Sequence, residues 1–300
     1  MKLRIAAALA ASALSLTLVG CGSTALPGTS AAPAATAGAS AVPSVTADPG
    51  LKAKLPKKVQ DAGKIVVGVD ATYKPNEYLD TDGKTVIGMD VELFDAVAAR
   101  LGVKTEWQPS AFDQILIGID ARKYDAGVSS FTINDERKQS VNFVSYLDAG
   151  SQWVTAAGNP KGLDPKNLCG QTVAIQTGTV QDDEMQAANE KCAPDQKINV
   201  LSFADQGEVT NAVTSGRAAG MSADSPISLY AAKMSNGTLA PLGEVYDSAP
   251  YGFAFHKADT AFAEAVAQAT RDIRDAGVYD AILARYGQEK SAVTNIAVNP

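Results

Sequence analysis

The sequence predicts an α/β fold with a mainly parallel sheet, arranged as two lobes around a cleft. Short β-rich runs alternate with segments whose apolar residues recur at helical spacing. The alternation stops near Gly150 and begins again, giving two similar halves. Hydrophobic residues make up 46% of the chain, enough for a sizeable core.

The first strand is Lys64–Val69, a run of Ile, Val and Gly, followed by a turn-rich stretch through Gly83. From Met89 to Leu101 the apolar positions Leu93, Phe94, Val97, Ala98 and Leu101 mark one helical face, and Gly102 is its stop signal. Val103–Trp107 reads as a strand, Phe112–Ala121 as a helix and Ala126–Ser129 as a short strand. In the second half, Gln171–Ile175 is a strand and Gly178-Thr179 opens a helix. Ile198–Phe203, Glu208–Ser215 and Ala219–Ala223 then read as strand, helix and strand, and Pro226 begins a helix. Two amphipathic helices, Phe262–Ala276 and Val278–Tyr286, close the pattern with a break at Gly277. Ligands of such sheets bind beyond the carboxyl ends of strands, so functional residues are expected there.

Ahead of this body stands a secretory pattern. Lys2 and Arg4 precede an apolar run from Ile5 to Val19, too short and wrongly flanked for a spanning helix. Leu18-Val19-Gly20-Cys21 resembles a bacterial lipobox, which predicts a signal peptide over 1–20 and a lipid anchor at Cys21. The following residues are mostly Ala, Thr, Ser, Pro and Gly, with Asp48 the only charge up to Gly50; residues 21–54 read as a flexible tether. The protein is expected outside the cytoplasm, held at the cell membrane by lipid.

A net charge of −7 with interspersed signs gives no footprint for nucleic acid. Cys169 and Cys192, an even pair in an exported chain, are most simply a disulfide closing a loop of about 24 residues, worth roughly 3 kcal/mol. A metal site is a poor alternative: no histidine lies near them, and the sole histidine is the distant His256. No serine elbow, phosphate-binding loop or nucleophile–histidine pair occurs, so neither catalysis nor a cofactor is expected.

Three strand ends carry candidate chemistry. Ser129, Ser130 and Thr132 with Arg137 suit a carboxylate, since a guanidinium offers a planar two-donor fork; the same segment also reads as a solvated turn in which Thr132 caps a helix. Gln176 to Gln181 is a strand–glycine–helix start around Thr179, either an anion site or an ordinary capped turn. Asp224 in Ala223-Asp224-Ser225-Pro226 either holds an ammonium group or caps the helix. Asp70 and Tyr73 follow the first strand and Phe112 opens a helix; single aromatics are more often core than pocket wall.

Together these segments resemble the amino-acid-binding family of periplasmic solute-binding proteins, the histidine- and glutamine-binding type, over about Lys64 to Tyr286. The resemblance rests on Gly68 to Glu77, Gly88-Met89-Asp90-Val91-Glu92-Leu93, Phe112-Asp113, Tyr124-Asp125-Ala126 and Ser129 to Arg137. It continues through Gly178-Thr179, Ser215-Gly216-Arg217, Ala223 to Pro226 and Asp275 to Tyr279. It implies a type II periplasmic-binding-protein fold: two Rossmann-like lobes joined by two crossing strands. Lobe 1 would span residues 55–149 plus 250–292, and lobe 2 residues 150–249. It further implies that Arg137, with Thr132 and Thr179, grips a ligand α-carboxylate, while Asp224 and the Ser130 carbonyl region take the α-ammonium. Tyr73 and Phe112 would wall the side-chain pocket and Asp70 would face the side chain, favouring a long polar or cationic one over an acidic one. Gln176 stands where the residue varies with ligand. An ATP-driven permease would be the partner of a monomeric binding protein. A cyclohexadienyl-dehydratase-like enzyme and a receptor-linked sensor share the scaffold. Two departures stand out: Lys74-Pro75-Asn76-Glu77 replaces the family's usual Pro-Pro-Phe-Glu, and Val180 replaces a small polar residue.

Overall fold

The computed structural model describes residues 43–300; the signal-like segment and Cys21 lie outside the described residues. Helices α1 (Pro49–Lys52) and α2 (Lys57–Ala62) lead into strand β1 (Lys64–Val69). A small sheet of β2 (Thr72–Tyr73), β3 (Glu77–Leu79) and β4 (Val86–Ile87) follows. Then come α3 (Met89–Arg100), β5 (Lys104–Pro109), α4 (Phe112–Asp120), β6 (Ala126–Thr132), α5 (Arg137–Ser140) and the long β7 (Val141–Ala156). The second half runs β8 (Thr172–Gln176), α6 (Val180–Glu190), β9 (Asn199–Phe203), α7 (Gln206–Thr214), β10 (Gly220–Asp224) and α8 (Ser225–Met234). The chain returns along β11 (Leu239–His256) and ends with α9 (Thr260–Asp275) and α10 (Val278–Tyr286).

One eight-stranded sheet, ordered β5-β1-β6-β11-β7-β10-β8-β9, runs through both lobes. The flanks are parallel, β5 and β6 on either side of β1, and β10 and β9 on either side of β8. In the middle β7 and β11 pair antiparallel from Leu239 opposite Ala156 to His256 opposite Val141, with register shifts around Tyr246. These two strands are the crossings between lobes. Because β7 is covered on both faces, nearly all of it is buried, and no period-two alternation betrays it.

Each lobe has its own core. In lobe 1, α3, α9 and α10 cover the sheet, and Phe94 meets Phe253 edge-on with ring centroids 5.0 Å apart. In lobe 2, Val173, Ile175, Met185 and Ile198 pack with Cys192, which is bonded to Cys169 as a disulfide.

The expected tether ends earlier than residue 54. Val45 packs on the lobe 1 core, and Leu51 of α1 and Leu55, in the turn after it, are buried in it. Asp48 caps α1 by accepting from Gly50 N at 2.7 Å and Leu51 N at 3.1 Å, and pairs with Arg100 at 3.1 Å. At the other end, Val293 and Ile296 are buried beyond the expected boundary at 292, and Val298 bridges to Val144 on β7. Among the described residues no helix is long and apolar enough to cross a membrane.

Candidate functional site

The strand ends do converge. Tyr73, Phe112, Ser130, Thr132, Arg137, Thr179 and Asp224 line one cavity of about 10 Å³ between the lobes, together with Val180, noted above only as a departure from the family pattern, and Gln181, to which no ligand role was given. The signal for Gln181 was present, since it lies in the first turn of the helix that Thr179 caps, where a side chain reaches back over the helix start. Asp70, Ser129 and Gln176 do not line this cavity; they sit beside it in a buried layer.

Arg137 reaches the cavity from α5. Its Nη1 donates to Thr132 O at 2.9 Å and its Nη2 crosses to Gly178 O of lobe 2 at 3.0 Å. The guanidinium carbon lies 5.5 Å from the centre of the Phe112 ring, which stacks on Phe131 at 4.9 Å. Among the described residues Arg137 forms no ion pair. Burial pulls its pKa down, as expected for a cation short of counter-charge. The alternative reading of the segment, with Thr132 as a helix cap, does not hold: Thr132 ends β6 and the cap position of α5 belongs to Glu136.

Asp224 occupies the N-cap position of α8 yet makes no side-chain cap bond. Its Oδ1 instead accepts from Gln181 Nε2 at 2.8 Å, and its backbone N–H donates to the Tyr73 hydroxyl at 3.2 Å. Asp224 is 6% exposed, and burial pushes its carboxyl up although Tyr251, Gln181, Tyr73 and Arg137 pull it down. Thr179 does cap: its hydroxyl accepts from Asp182 N at 3.2 Å and donates to Gln176 O at 2.8 Å, so it serves both the helix and the cavity wall.

A second set of groups lies toward the side-chain end. Asp70 accepts from Gln176 Nε2 across the cleft, and Gln176 also donates to Ala204 O at 2.9 Å. Burial pushes the Asp70 carboxyl up to about 6, with Asp205 adding like charge. Gln176 Oε1 and Gln206 Oε1 are buried acceptors with no partner among the described residues. Thr72 joins the set, its Oγ1 accepting from Gln206 N at 3.1 Å. A groove of about 580 Å³ opens beside Thr72, Asp205 and Gln206 and runs out between the small sheet and α7 and α8.

The lobes touch through Arg137–Gly178, Asp70–Gln176, Thr72–Gln206 and Tyr73–Asp224. At the first contact the backbone is close enough to require glycine: Gly178 has φ +76°, and a Cβ there would meet Asp113 Cβ at 2.8 Å.

Two lobes on a shared sheet, joined by two crossing strands, define a type II periplasmic-binding-protein fold. The chain belongs to the bacterial extracellular solute-binding proteins, family 3, whose model matches residues 65–289. It is 34% identical over 254 residues to the arginine-binding protein ArgT of Corynebacterium glutamicum, covering 84% of this chain and 83% of that one. An ancestral arginine-binding protein, solved bound to arginine, superposes with a TM-score of 0.70 at 29% identity over 75% of this chain and 98% of its own. An ancestral amino-acid-binding protein described as a precursor of cyclohexadienyl dehydratase gives 0.69 at 29% identity, over 76% and 97%.

Proposed function

We propose that this protein captures a free amino acid with a cationic side chain, arginine foremost, and delivers it to an ATP-driven importer while held at the membrane by lipid on Cys21. The observation that carries the reading is that Arg137 and Asp224, opposite charges with no direct ion pair among the described residues, line one interlobe cavity. A buried charge without a partner is costly, and an α-carboxylate with an α-ammonium supplies both missing partners at once.

The side-chain end adds a requirement. It offers the Asp70 carboxylate and the unpartnered Gln176 and Gln206 oxygens, an excess of acceptors. A guanidinium brings five N–H donors and no acceptor, and so complements the set; a glutamate side chain would add more acceptors and a second negative charge. The arginine-binding names of the relatives point the same way.

A cavity of about 10 Å³ admits no amino acid, so the lobes must part about β7 and β11 before ligand enters. Contacts made by both lobes exist only when they close, so ligand shifts the population toward closure. The enzyme alternative needs a general acid in the cleft. Among the described residues the one acid lining the cavity is Asp224, and it is engaged by Gln181.

A thermal-shift screen of the purified protein against the common amino acids tests the reading. A ligand at a thousandfold its dissociation constant stabilises by about 4 kcal/mol. Arginine is expected to give the largest shift, lysine and histidine smaller ones, glutamate and aspartate none. Stabilisation by glutamate above arginine contradicts the side-chain assignment.

A further inference from the structure

Beneath the carboxyl end of β6 lies a pair of acids that the ligand reading leaves unused. Glu77 on β3 and Asp90 on α3 are both 0% exposed. Among the described residues neither forms an ion pair. Asp90 Oδ2 accepts the Ser130 N–H at 3.2 Å and the Tyr146 hydroxyl, and lies 3.2 Å from Ser130 Oγ. Glu77 Oε2 lies 3.3 Å from the same Ser130 Oγ, and its Oε1 lies 3.3 Å from Ser129 Oγ. Asn76, also fully buried, donates to Ser130 Oγ at 2.9 Å.

The hydrogens can be counted. Ser130 Oγ carries one hydrogen and lies against a carboxyl oxygen of each acid, so it can donate fully to only one of them, and a proton on the other carboxyl would complete the set. Asp90, which takes a backbone N–H and a phenol, is satisfied as the ionised partner. Glu77 meets only the Ser129 and Ser130 hydroxyls, and Asp90 Oδ1 has no partner among the described residues. Two ionised carboxylates side by side without a cation are strongly disfavoured. The other titratable groups facing the pair are Asp70, Tyr73 and Tyr146, none of them a cation.

We propose that Glu77 stays protonated beside an ionised Asp90, and that the two, with Asn76, are positioning residues that lock Ser130 against the ligand. Ser130 lines the cavity and is held at φ +50°, a left-handed conformation that serine rarely adopts without support. The acids sit behind it and fix both its N–H and its hydroxyl. The role in binding rests on the amino-acid-binding reading of the cleft; the protonation of Glu77 does not.

The test is infrared spectroscopy and arginine titration of the full-length protein, wild type against Glu77→Gln and Asp90→Asn. At about pH 8, above the value of about 6 for Asp70 and Asp90, wild type should show the carbonyl stretch of a buried protonated carboxyl. That band should vanish in Glu77→Gln, whose neutral amide replaces a neutral acid. Glu77→Gln should bind arginine within about threefold of wild type, while Asp90→Asn should lose about tenfold or more. No such band in wild type, or an affinity loss in Glu77→Gln matching that of Asp90→Asn, overturns the proposal. If Asp90→Asn does not fold, the band and the Glu77→Gln titration decide it. If wild type binds no amino acid, the reading of the cleft fails, while the band still settles the protonation.

Discussion

Gln181 Nε2 bonds both Asp224 Oδ1 and Ser151 Oγ at 2.8 Å, and so turns a carboxylate at a helix N-cap away from its own helix and toward the cleft. An aspartate before a proline-started helix would ordinarily spend its oxygens on the helix N–H groups. Here the cap bond is absent and the carboxylate lines the interlobe cavity. Asp224→Asn should keep the fold and the Gln181 contact but lose the ammonium's partner. Leaving one member of a buried charge pair alone costs about 2–5 kcal/mol, so calorimetry should show arginine binding weakened by roughly 30-fold or more.

Asp70 should make binding pH-dependent. Its carboxyl stands at about 6 against an ordinary 3.8. A raised carboxyl holds its proton more tightly when folded, so its contribution to stability is full below 3.8 and is lost as pH rises through about 6. A cationic side chain prefers the ionised form, so arginine affinity should rise with pH across the same window. Asp70→Asn should flatten that dependence and lower affinity at neutral pH. An unchanged pH profile in Asp70→Asn would show that Asp70 supports its turn and does not meet ligand.

Closure should depend on Gly178. An added Cβ meets Asp113 Cβ at 2.8 Å, and the backbone sits at φ +76°. Gly178→Ala should weaken arginine binding by about tenfold or more, mainly through faster dissociation, because the strain falls on the closed form. Stopped-flow release rates check this.

The Cys169–Cys192 bond should matter for stability and little for specificity. Of the residues assigned to ligand, only Gln176 and Thr179 lie inside the closed loop, and the bridge itself sits in the lobe 2 core with Met185 and Ile198. Reduction should lower unfolding stability by roughly 3 kcal/mol in the chain-entropy account, measured in denaturant, with the rank order of amino acids preserved.

Much of this was legible in the chain before the structure. The parallel strands were visible because runs such as Lys64–Val69 are short, β-branched and bounded by turns, and β1 spans those same residues. The crossing strands were not. β7 reads Val141-Asn142-Phe143-Val144-Ser145-Tyr146-Leu147-Asp148-Ala149-Gly150, mixing polar and apolar residues without a period. Its polar residues are buried by partners distant in sequence, such as Ser145 Oγ, which donates to Asn295 O at 3.0 Å. At the site, Arg137 and Asp224 were readable as charges following strands. That Asp224 leaves its helix uncapped was not, because the reason lies in Gln181, forty-three residues away in the chain. Glu77 and Asp90 entered the reading only as parts of family motifs; their burial without a cation among the described residues is visible only in the structure.

The central claim is that Arg137 holds the ligand's α-carboxylate, and the most direct measurement is calorimetric titration of arginine into wild type and Arg137→Ala. Among the described residues the guanidinium forms no direct ion pair; its hydrogen bonds go to the Thr132 and Gly178 carbonyls and its face lies over Phe112. Its removal should leave a ligand carboxylate buried without its partner, at about 2–5 kcal/mol, or roughly 30- to several-thousand-fold in affinity. Arginine binding to Arg137→Ala within about threefold of wild type, far below that range, would contradict the account.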